Sequence, residues 1–526
     1  IFARSVMANI VIINPRFEAS YWGLERALPL FGKRANLPVA CLPLLSALTP
    51  EPHHVTLLDE NVAPLDFDRI ARADIVGVTG MIVQRFRMRE ILQALKSRDA
   101  FTVVGGPWVT VSEDYFGNLA DVIFVGEAEE TWPRFLDDWS HGSHDARYEQ
   151  SSRTDMTTVP CPRYDQLDAR QYMFGSLQIS RGCPFQCEFC DIIVTFGRRP
   201  RLKTSQQVIA ELESLRRAKL RMAFIVDDNL IGNKRAITPV LEQVADWQRQ
   251  NGYPFIFFTE ASLDLADDPE MMQLLVDANI QTVFVGVESP NEESLRETKK
   301  VHNLRPGGSI VDKVKKIQQA GMEVWTGMIV GFDHDDESIF NSQYEFLRQA
   351  RVTHASLGML AAIPKTPLYS RLAAEQRLDL QDPPEYGTNV IPARMTREAL
   401  VDGYLDVLRR LNEPTAYFDR VDSLYHDPAF KFNAAQRSYW KRHPLRGAVS
   451  KARTLVQCAV LYRRLMRKIR DPALRREYRQ RVAGVWRQRH EPESVFIYLI
   501  KCAMHYHYAT MIRDMTSAER SVVNTF

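Results

Sequence analysis

The chain has few cysteines for its length, no excess charge of either sign and no long apolar run, and each lack narrows what it does. Seven cysteines in 526 residues do not make the disulfide framework of a secreted scaffold, and Cys41, Cys161, Cys458 and Cys502 are scattered. A reducing, cytoplasmic setting is expected. With 67 basic against 65 acidic side chains, the net charge of +2 excludes binding to nucleic acid by bulk charge. The most apolar stretch, Val495 to Ile512, is interrupted by Lys501, His505 and His507, short of the ~20 apolar residues that span a bilayer. Ile1 to Ile13 lack a basic start, a long apolar core and a small-residue cleavage site, so no signal peptide is read. Repeats and low-complexity tracts are absent too. A globular composition remains, 45% hydrophobic and 25% charged, with length for about three domains.

Between Asn9 and Trp139, apolar runs alternate with helix-like stretches: Ile10 to Ile13, Val55 to Leu58, Ile75 to Val78, Phe101 to Val104 and Val122 to Val125. Such runs predict a parallel sheet. The turns after them, Val78-Thr79-Gly80, Val104-Gly105-Gly106-Pro107 and Val125-Gly126-Glu127, predict ligand-facing loops at the carboxyl ends of the strands. A doubly wound, Rossmann-like cofactor domain is expected over 1–140. The polar stretch 141–172, with Pro160 and Pro162, reads as a linker. A second alternation occupies 173–382, with strands expected at Leu177 to Ser180, Ala223 to Val226, Phe255 to Thr259, Thr282 to Val287, Glu323 to Val330 and Ser356 to Leu360. Six βα units predict a partial (β/α)6 barrel of TIM type. Thr204 with Gln207, and Ser289 with Pro290 and Glu292, read as capping boxes that start helices. Beyond about Pro383 the strands stop; Thr396 to Leu411 and Arg453 to Trp486 read as helices, so 383–526 is expected to be a helical domain. The fold class is α/β with this helical region appended.

Three cysteines are bunched in Arg181-Gly182-Cys183-Pro184-Phe185-Gln186-Cys187-Glu188-Phe189-Cys190, directly after the first barrel strand. The spacing C-x3-C-x2-C lets all three thiols face one point. A zinc site normally takes a fourth ligand, and no second Cys or His pair follows at zinc-finger spacing. A cubane held by three side chains instead leaves one iron open to bind a substrate or cosubstrate.

C-x3-C-x-Phe-C on the loop after the first strand of an incomplete barrel resembles the radical SAM superfamily. The resemblance implies a [4Fe–4S] cluster on Cys183, Cys187 and Cys190, whose open iron takes the amino and carboxylate groups of S-adenosylmethionine, with Phe189 near the adenine. It implies cosubstrate contacts from strand ends: Asp228 and Asn229 in Asp227-Asp228-Asn229, then Glu260, then Glu288 and Ser289 after Gly286-Val287, and Ile329 between Gly327 and Phe332. The implied chemistry is one-electron cleavage of the sulfonium to methionine and a 5′-deoxyadenosyl radical, which removes hydrogen from an unactivated carbon. An external electron donor of the flavodoxin or ferredoxin type is implied with it.

A doubly wound domain before such a barrel resembles the cobalamin-dependent radical SAM enzymes. Cobalamin contacts are then implied for Trp22, Thr79, Gly80, Met81, Gly105, Gly106, Pro107, Gly126, Glu127 and Glu129, although tight turns of any flavodoxin-like sheet present similar glycines. The Asp-x-His-x-x-Gly sequence that supplies a histidine below cobalt is absent. The first loop reads Asn14-Pro15-Arg16-Phe17, and His53 and His54 precede a strand, so no histidine ligand is expected. Methylthiotransferases carry three further cysteines before the barrel, where this chain has only Cys41. The Asn14 to Phe17 pattern, Tyr21-Trp22-Gly23 and the Arg-rich helical tail resemble the hopanoid C-2 methylase-like subgroup. That resemblance implies methyl transfer from methylcobalamin to an sp3 carbon of a small-molecule or lipid substrate. Sister enzymes with the same cofactors perform ring contraction or oxidative cyclisation, and no residue named above separates those outcomes; a non-catalytic metal-binding scaffold is the reading from another class. No catalytic residue is assigned beyond the cofactor contacts.

His505 and His507, two apart on a helix, face different ways and cannot share an ion. Cys502 with His505 reads as packing. Arg463, Arg464, Arg467, Lys468 and Arg470 read as a solvated basic face, one that meets an anionic membrane if the substrate is a lipid. Arg198, Arg199, Arg201 and Lys203 are suited to a carboxylate or phosphate, or are simply exposed.

Overall fold

In the computed structural model, residues 7–516 are described. Residues 1–6 of the stretch read for a signal peptide, and 517–526 of the expected helical domain, lie outside them. The described chain divides into two compact units, one of 7–18, 37–244 and 363–371, the other of 19–36, 245–362 and 372–516.

In the first unit, β1 (Asn9–Asn14), β2 (His54–Asp59), β3 (Ile75–Thr79), β4 (Thr102–Gly105), β5 (Val122–Val125) and β6 (Arg147–Glu149) form a parallel sheet in the order β2-β1-β3-β4-β5-β6. Successive side chains of a strand point to opposite faces, so β1 feeds two cores. Ile10 and Ile12 pack with Leu42, Val103, Trp132 and Phe135; Ile13 packs with Val78, Met88, Leu92 and Val104. Burial on both faces is why these strands read as continuous apolar runs. The chain leaves β1 for β2 on one side and crosses to β3 on the other, which opens a crevice at the carboxyl ends where the order reverses.

The stretch 141–172 holds β6 and three short 3-10 turns, Met156–Thr158, Tyr164–Gln166 and Ala169–Gln171. Only Tyr148 of β6 is buried, between two exposed charges, which is too little apolar signal to read as a strand. Next, β7 (Gly175–Leu177) pairs in parallel with β10 (Met222–Ile225), while β8 (Ser180–Arg181) and β9 (Arg201–Leu202) form a two-residue antiparallel clasp. The strand expected over Leu177 to Ser180 is thus broken, because the Ile179 N–H is taken by the Asp227 carboxylate at 2.7 Å. The helix Ser205–Arg217 starts at the expected Thr204–Gln207 capping box.

In the second unit, β11 (Ile256–Glu260), β12 (Ile280–Glu288), β13 (Glu323–Val330) and β14 (His354–Met359) pair in parallel, in the order β14-β13-β12-β11. All six expected barrel strands are therefore present, two in the first unit and four in the second. The helix after β12 is capped by Asn291, which accepts from the N–H groups of Glu293 (2.9 Å) and Ser294 (3.4 Å). Ser289, expected as the cap, is instead buried at the strand end. Beyond Pro383 come the helices Arg397–Leu411, Pro414–Tyr425, Ala434–Arg442, Pro444–Lys468, Pro472–Arg489 and Pro492–Met515. The stretch Arg453 to Trp486 is divided at Asp471-Pro472, where Asp471 caps and the proline opens a new helix. In the last helix, His505 meets the Tyr478 hydroxyl and the Asn412 carbonyl (3.0 Å), and His507 meets the Ser20 carbonyl (2.8 Å), so both are packed and partnered. No described helix is long and apolar enough to cross a membrane.

Candidate active site

The cysteine loop is held at its root, where the β8–β9 clasp closes residues 182–200 into one excursion. Gly182 has φ +96°, and a Cβ there would stand 3.0 Å from the carbonyl oxygens of Gly197 and Arg199. Only glycine fits. Its N–H donates to Asp228 Oδ2 (2.6 Å), the Ser180 hydroxyl donates to Asp227 (2.6 Å), and Asn229 Nδ2 reaches Cys183 Sγ at 3.9 Å. The polar run ending β10 thus grips the chain as it enters the loop. Burial pushes Asp227 up to about 6 and Asp228 up to about 7, against hydrogen bonds that pull both down.

Cys187 is buried, and Cys183, Phe189 and Cys190 are half-buried. Burial pushes the Cys190 thiol well above its ordinary value, and Asp191, Cys187 and Cys183 add to the effect, so the three sulfurs share one electrostatic neighbourhood. Among the described residues no three His, Cys, Asp or Glu stand close enough to share a single metal ion. A cubane offers each thiolate its own iron and supplies positive charge where the thiols lack it. The residues fit a [4Fe–4S] cluster better than one zinc ion.

A buried charge network braces this loop. Arg181 pairs with Glu127 (2.8 Å) and Glu129 (2.7 Å), and its register partner Arg201 reaches Glu127 at 3.1 Å. The Thr154 N–H donates to Glu127 (3.0 Å) and its hydroxyl to Glu129 (3.1 Å). Burial works to raise Glu129, but the charge and hydrogen bond of Arg181 outweigh it and hold the carboxyl below its usual range. Two cations facing two anions make such burial tolerable. Glu127 and Glu129, expected at cobalamin, thus have their carboxylates engaged by arginines of the clasp.

The other expected cobalamin residues of this unit gather at the carboxyl ends of β3 to β5. Gly106 has φ +101°, and a Cβ there would come 2.6 Å from Thr79 Oγ1 and 3.0 Å from the Gly80 backbone, so the loops meet only through glycine. Pro107 opens the next helix, Gly105 lies against Phe124, and the Gly126 N–H donates to Thr110 Oγ1 (3.1 Å). Buried Gln84 joins the loops on either side of the strand-order reversal. Its Nε2 donates to Asn14 Oδ1 (2.9 Å) and the Pro15 carbonyl (2.6 Å), while its Oε1 accepts from the Met81 N–H (3.0 Å). Met81 and Val83 are exposed there, an apolar rim that a flat macrocycle can cover. His53 and His54 lie at the other, amino end of β2.

In the second unit, the register slips between Gly286 and Glu288, and Glu288 takes φ +65°, a left-handed conformation uncommon for a long side chain. Such strain persists where the surroundings impose it. Lys300 pairs with Glu288 (2.6 Å), and Asn303 Nδ2 donates to the carbonyls of Gly286 and Val287, each at 3.1 Å. Gln343 Nε2 donates to the carbonyls of Glu288 (3.1 Å) and Ile329 (2.9 Å). The second carboxylate oxygen of Glu288 is buried without a partner, and Ser289 Oγ accepts from the Asn291 N–H (3.1 Å). Glu288, Ser289 and Ile329 are thereby brought together, and Glu260 stands half-buried at the end of β11. Sequence reasoning missed Gln84, Lys300, Asn303 and Gln343, whose roles leave no periodic signal.

The register also sets Phe258, Phe284, Trp325 and His354 on one face of this sheet. Trp325 lies 4.4 Å from His354 and 5.8 Å from Phe258, ring centre to ring centre. Trp22, expected at cobalamin, is placed here, 4.7 Å from Phe284. Trp22 and Trp325 remain half-exposed. Burial holds His354 down to about 3, so it is neutral, and its Nδ1 shares a hydrogen bond with the Tyr508 hydroxyl. Neither this Nε2 nor Trp325 Nε1 has a partner, although both atoms are buried.

Residues 38–136 match the B12 binding domain family, 177–342 the radical SAM superfamily, and 366–521 a domain of unknown function, DUF4070. An uncharacterized methyltransferase of Synechocystis sp. is 38% identical over 78% of this chain and 77% of its own length. The hopanoid C-2 methylase of Rhodopseudomonas palustris is 33% identical over 79% of each chain. The chain belongs to the cobalamin-dependent radical SAM methyltransferases. The fold is shared with the radical SAM methyltransferase TsrM of Kitasatospora setae, solved with cobalamin and a [4Fe–4S] cluster, at TM-score 0.55 and 18% identity, over 70% of this chain and 75% of that one. This methyltransferase therefore uses a [4Fe–4S] cluster, S-adenosylmethionine and cobalamin.

Replacing Arg181 by Met leaves Glu129 buried without its cation and Glu127 with Arg201 alone, and is expected to cost about 3–5 kcal/mol. Denaturant unfolding of the cofactor-free chain checks this, and the iron bound per chain after reconstitution is expected to fall as well.

Proposed function

We propose that this methyltransferase methylates an unactivated carbon of an apolar, polycyclic lipid of the hopanoid kind. The observation that carries the substrate class is the aromatic face of Trp22, Phe258, Phe284 and Trp325, whose half-exposed indoles offer an apolar surface. The kinship with a hopanoid C-2 methylase supports the same reading. The proposed working division is a cobalamin domain over 1–140, a linking stretch over 141–172, a radical SAM barrel over 173–382 and a helical domain over 383–526.

When bound, the three cofactors supply a reducing electron, a hydrogen-abstracting radical and a transferable methyl group. Cys183, Cys187 and Cys190 hold the iron as thiolates, on a loop that Asp227, Asp228 and Asn229 fix at its entry. Phe189, Asp228 and Asn229 of the first unit, and Glu260, Glu288, Ser289 and Ile329 of the second, are the proposed cosubstrate contacts, with the free oxygen of Glu288 as an acceptor for a polar hydrogen. Thr79, Gly80, Met81, Gly105, Gly106, Pro107 and Gly126 present backbone and an apolar rim to the corrin, while Glu127 and Glu129 act as braces. The aromatic face keeps water from the reacting carbon. The Trp325 N–H and the unpartnered Nε2 of His354 orient a hydroxyl carried by the lipid. An external one-electron donor of the flavodoxin or ferredoxin type, in a reducing cytoplasm, completes the reading.

Anaerobic turnover with pentacyclic triterpenes is expected to give 5′-deoxyadenosine and S-adenosylhomocysteine in step with methylated lipid; deoxyadenosine alone would point to cyclisation or rearrangement instead. A Cys187→Ala chain is expected to bind less iron and to form neither product. His354→Phe removes one hydrogen bond to substrate and is expected to raise KM about tenfold while changing kcat little, as read from steady-state rates.

A further inference from the structure

The helix Pro444–Lys468 has an unusual outer face. Its inner side is buried through Gly447, Cys458, Leu461 and Leu465. At 100° per residue, Leu445, Val449, Val456 and Val460 fall within about 60° of arc on the side directly opposite. Their exposures are 83%, 71%, 65% and 44%. Ala452 belongs to the same stripe and is exposed too. A surface helix ordinarily turns charged and polar residues outward. Here the outward line is apolar for about 23 Å, the length of fifteen helical rises. Described residues leave this line uncovered.

Charge says what covers it. The helix has no Asp or Glu, and it carries Arg446, Lys451, Arg453, Arg463, Arg464, Arg467 and Lys468. Arg446 and Arg453 border the stripe on one flank, and Arg463 and Arg467 extend its line toward the carboxyl end. Arg464 donates to the Leu30 carbonyl at 3.0 Å and Arg446 to the Tyr439 hydroxyl, while Arg453, Arg463 and Arg467 stand exposed beside the stripe and Lys451 and Lys468 are exposed elsewhere on the helix. An apolar ridge with cations along one flank and at its carboxyl end, on a helix without a single anion, complements the surface of an anionic bilayer, where side chains enter the acyl boundary and arginines meet phosphates. The helix is too charged to cross a membrane, and among the described residues no other helix can.

We propose that helix 444–468 docks this methyltransferase flat on the surface of an anionic phospholipid bilayer, inserting Leu445, Val449, Val456 and Val460. The docking stands on this helix alone and holds whichever molecule is methylated. Flotation of the full-length holoenzyme with vesicles tests it, using phosphatidylcholine alone and phosphatidylcholine with phosphatidylglycerol at about three to one. The expected result is binding to the anionic vesicles that weakens as salt is raised. A variant carrying Leu445→Ser, Val449→Ser, Val456→Ser and Val460→Ser changes only exposed positions. It is expected to keep its iron content and circular dichroism while losing vesicle affinity on the order of tenfold or more. A second variant, Arg446→Gln with Arg453→Gln, Arg463→Gln and Arg467→Gln, is expected to lose the preference for anionic lipid. The proposal is overturned if the holoenzyme does not float, or if the serine variant floats as well as the parent. It is also overturned if the parent is a dimer in lipid-free solution that the serine substitutions dissociate, because a second copy then covers the stripe.

Discussion

Arg181 ties the cysteine loop to the loop after β5 through one buried side chain. It ends the strand that delivers the cysteine loop, and its guanidinium is neutralised by Glu127 and Glu129 from the loop after β5 of the doubly wound sheet. An arginine buried this deeply requires anions, and two carboxylates buried beside each other require cations. With Arg201 as the second cation and Thr154 filling the remaining acceptor positions, the loop that carries the thiols and the loop expected to face cobalamin become one charge-balanced object. Neither can shift without exposing an unpaired charge.

The second unit solves a related problem with backbone. Glu288 is held in a left-handed conformation at a slipped register, and Lys300, Asn303 and Gln343 take up the groups that the slip sets free. One carboxylate oxygen is left unpartnered in a buried place. A polar atom kept in that condition by three other residues is a preorganised acceptor, as the proposed cosubstrate contact requires. The aromatic face of the same sheet is apolar in its rings, with the buried Nε2 of His354 and Nε1 of Trp325 left without partners, which suits a substrate that is mostly hydrocarbon.

What was legible in the sequence is what is local. The cysteine spacing is a ligand set written in eight consecutive residues, and the strands of the first sheet announce themselves because both faces are buried. The Thr204–Gln207 box is equally local, and it starts its helix as read. Long-range partners were not legible: Arg181 and Glu127 lie 54 residues apart, and Gln84 and Gln343 act as single polar side chains that break no pattern. Ser289 and Asn291 are both good caps, and the choice between them depends on a strand bulge that no periodicity records. The outward line on helix 444–468 was hidden for another reason, since composition counts apolar residues without saying which side of a helix is buried.

The central claim is that three thiols hold an iron–sulfur cluster with one iron free for the cosubstrate. Anaerobic electron paramagnetic resonance of the reconstituted, chemically reduced full-length chain, with and without S-adenosylmethionine, tests it most directly. The account predicts the signal of a reduced [4Fe–4S] cluster whose g-values move when the cosubstrate is added. A cluster signal indifferent to S-adenosylmethionine, or metal analysis finding zinc in place of iron, would contradict it.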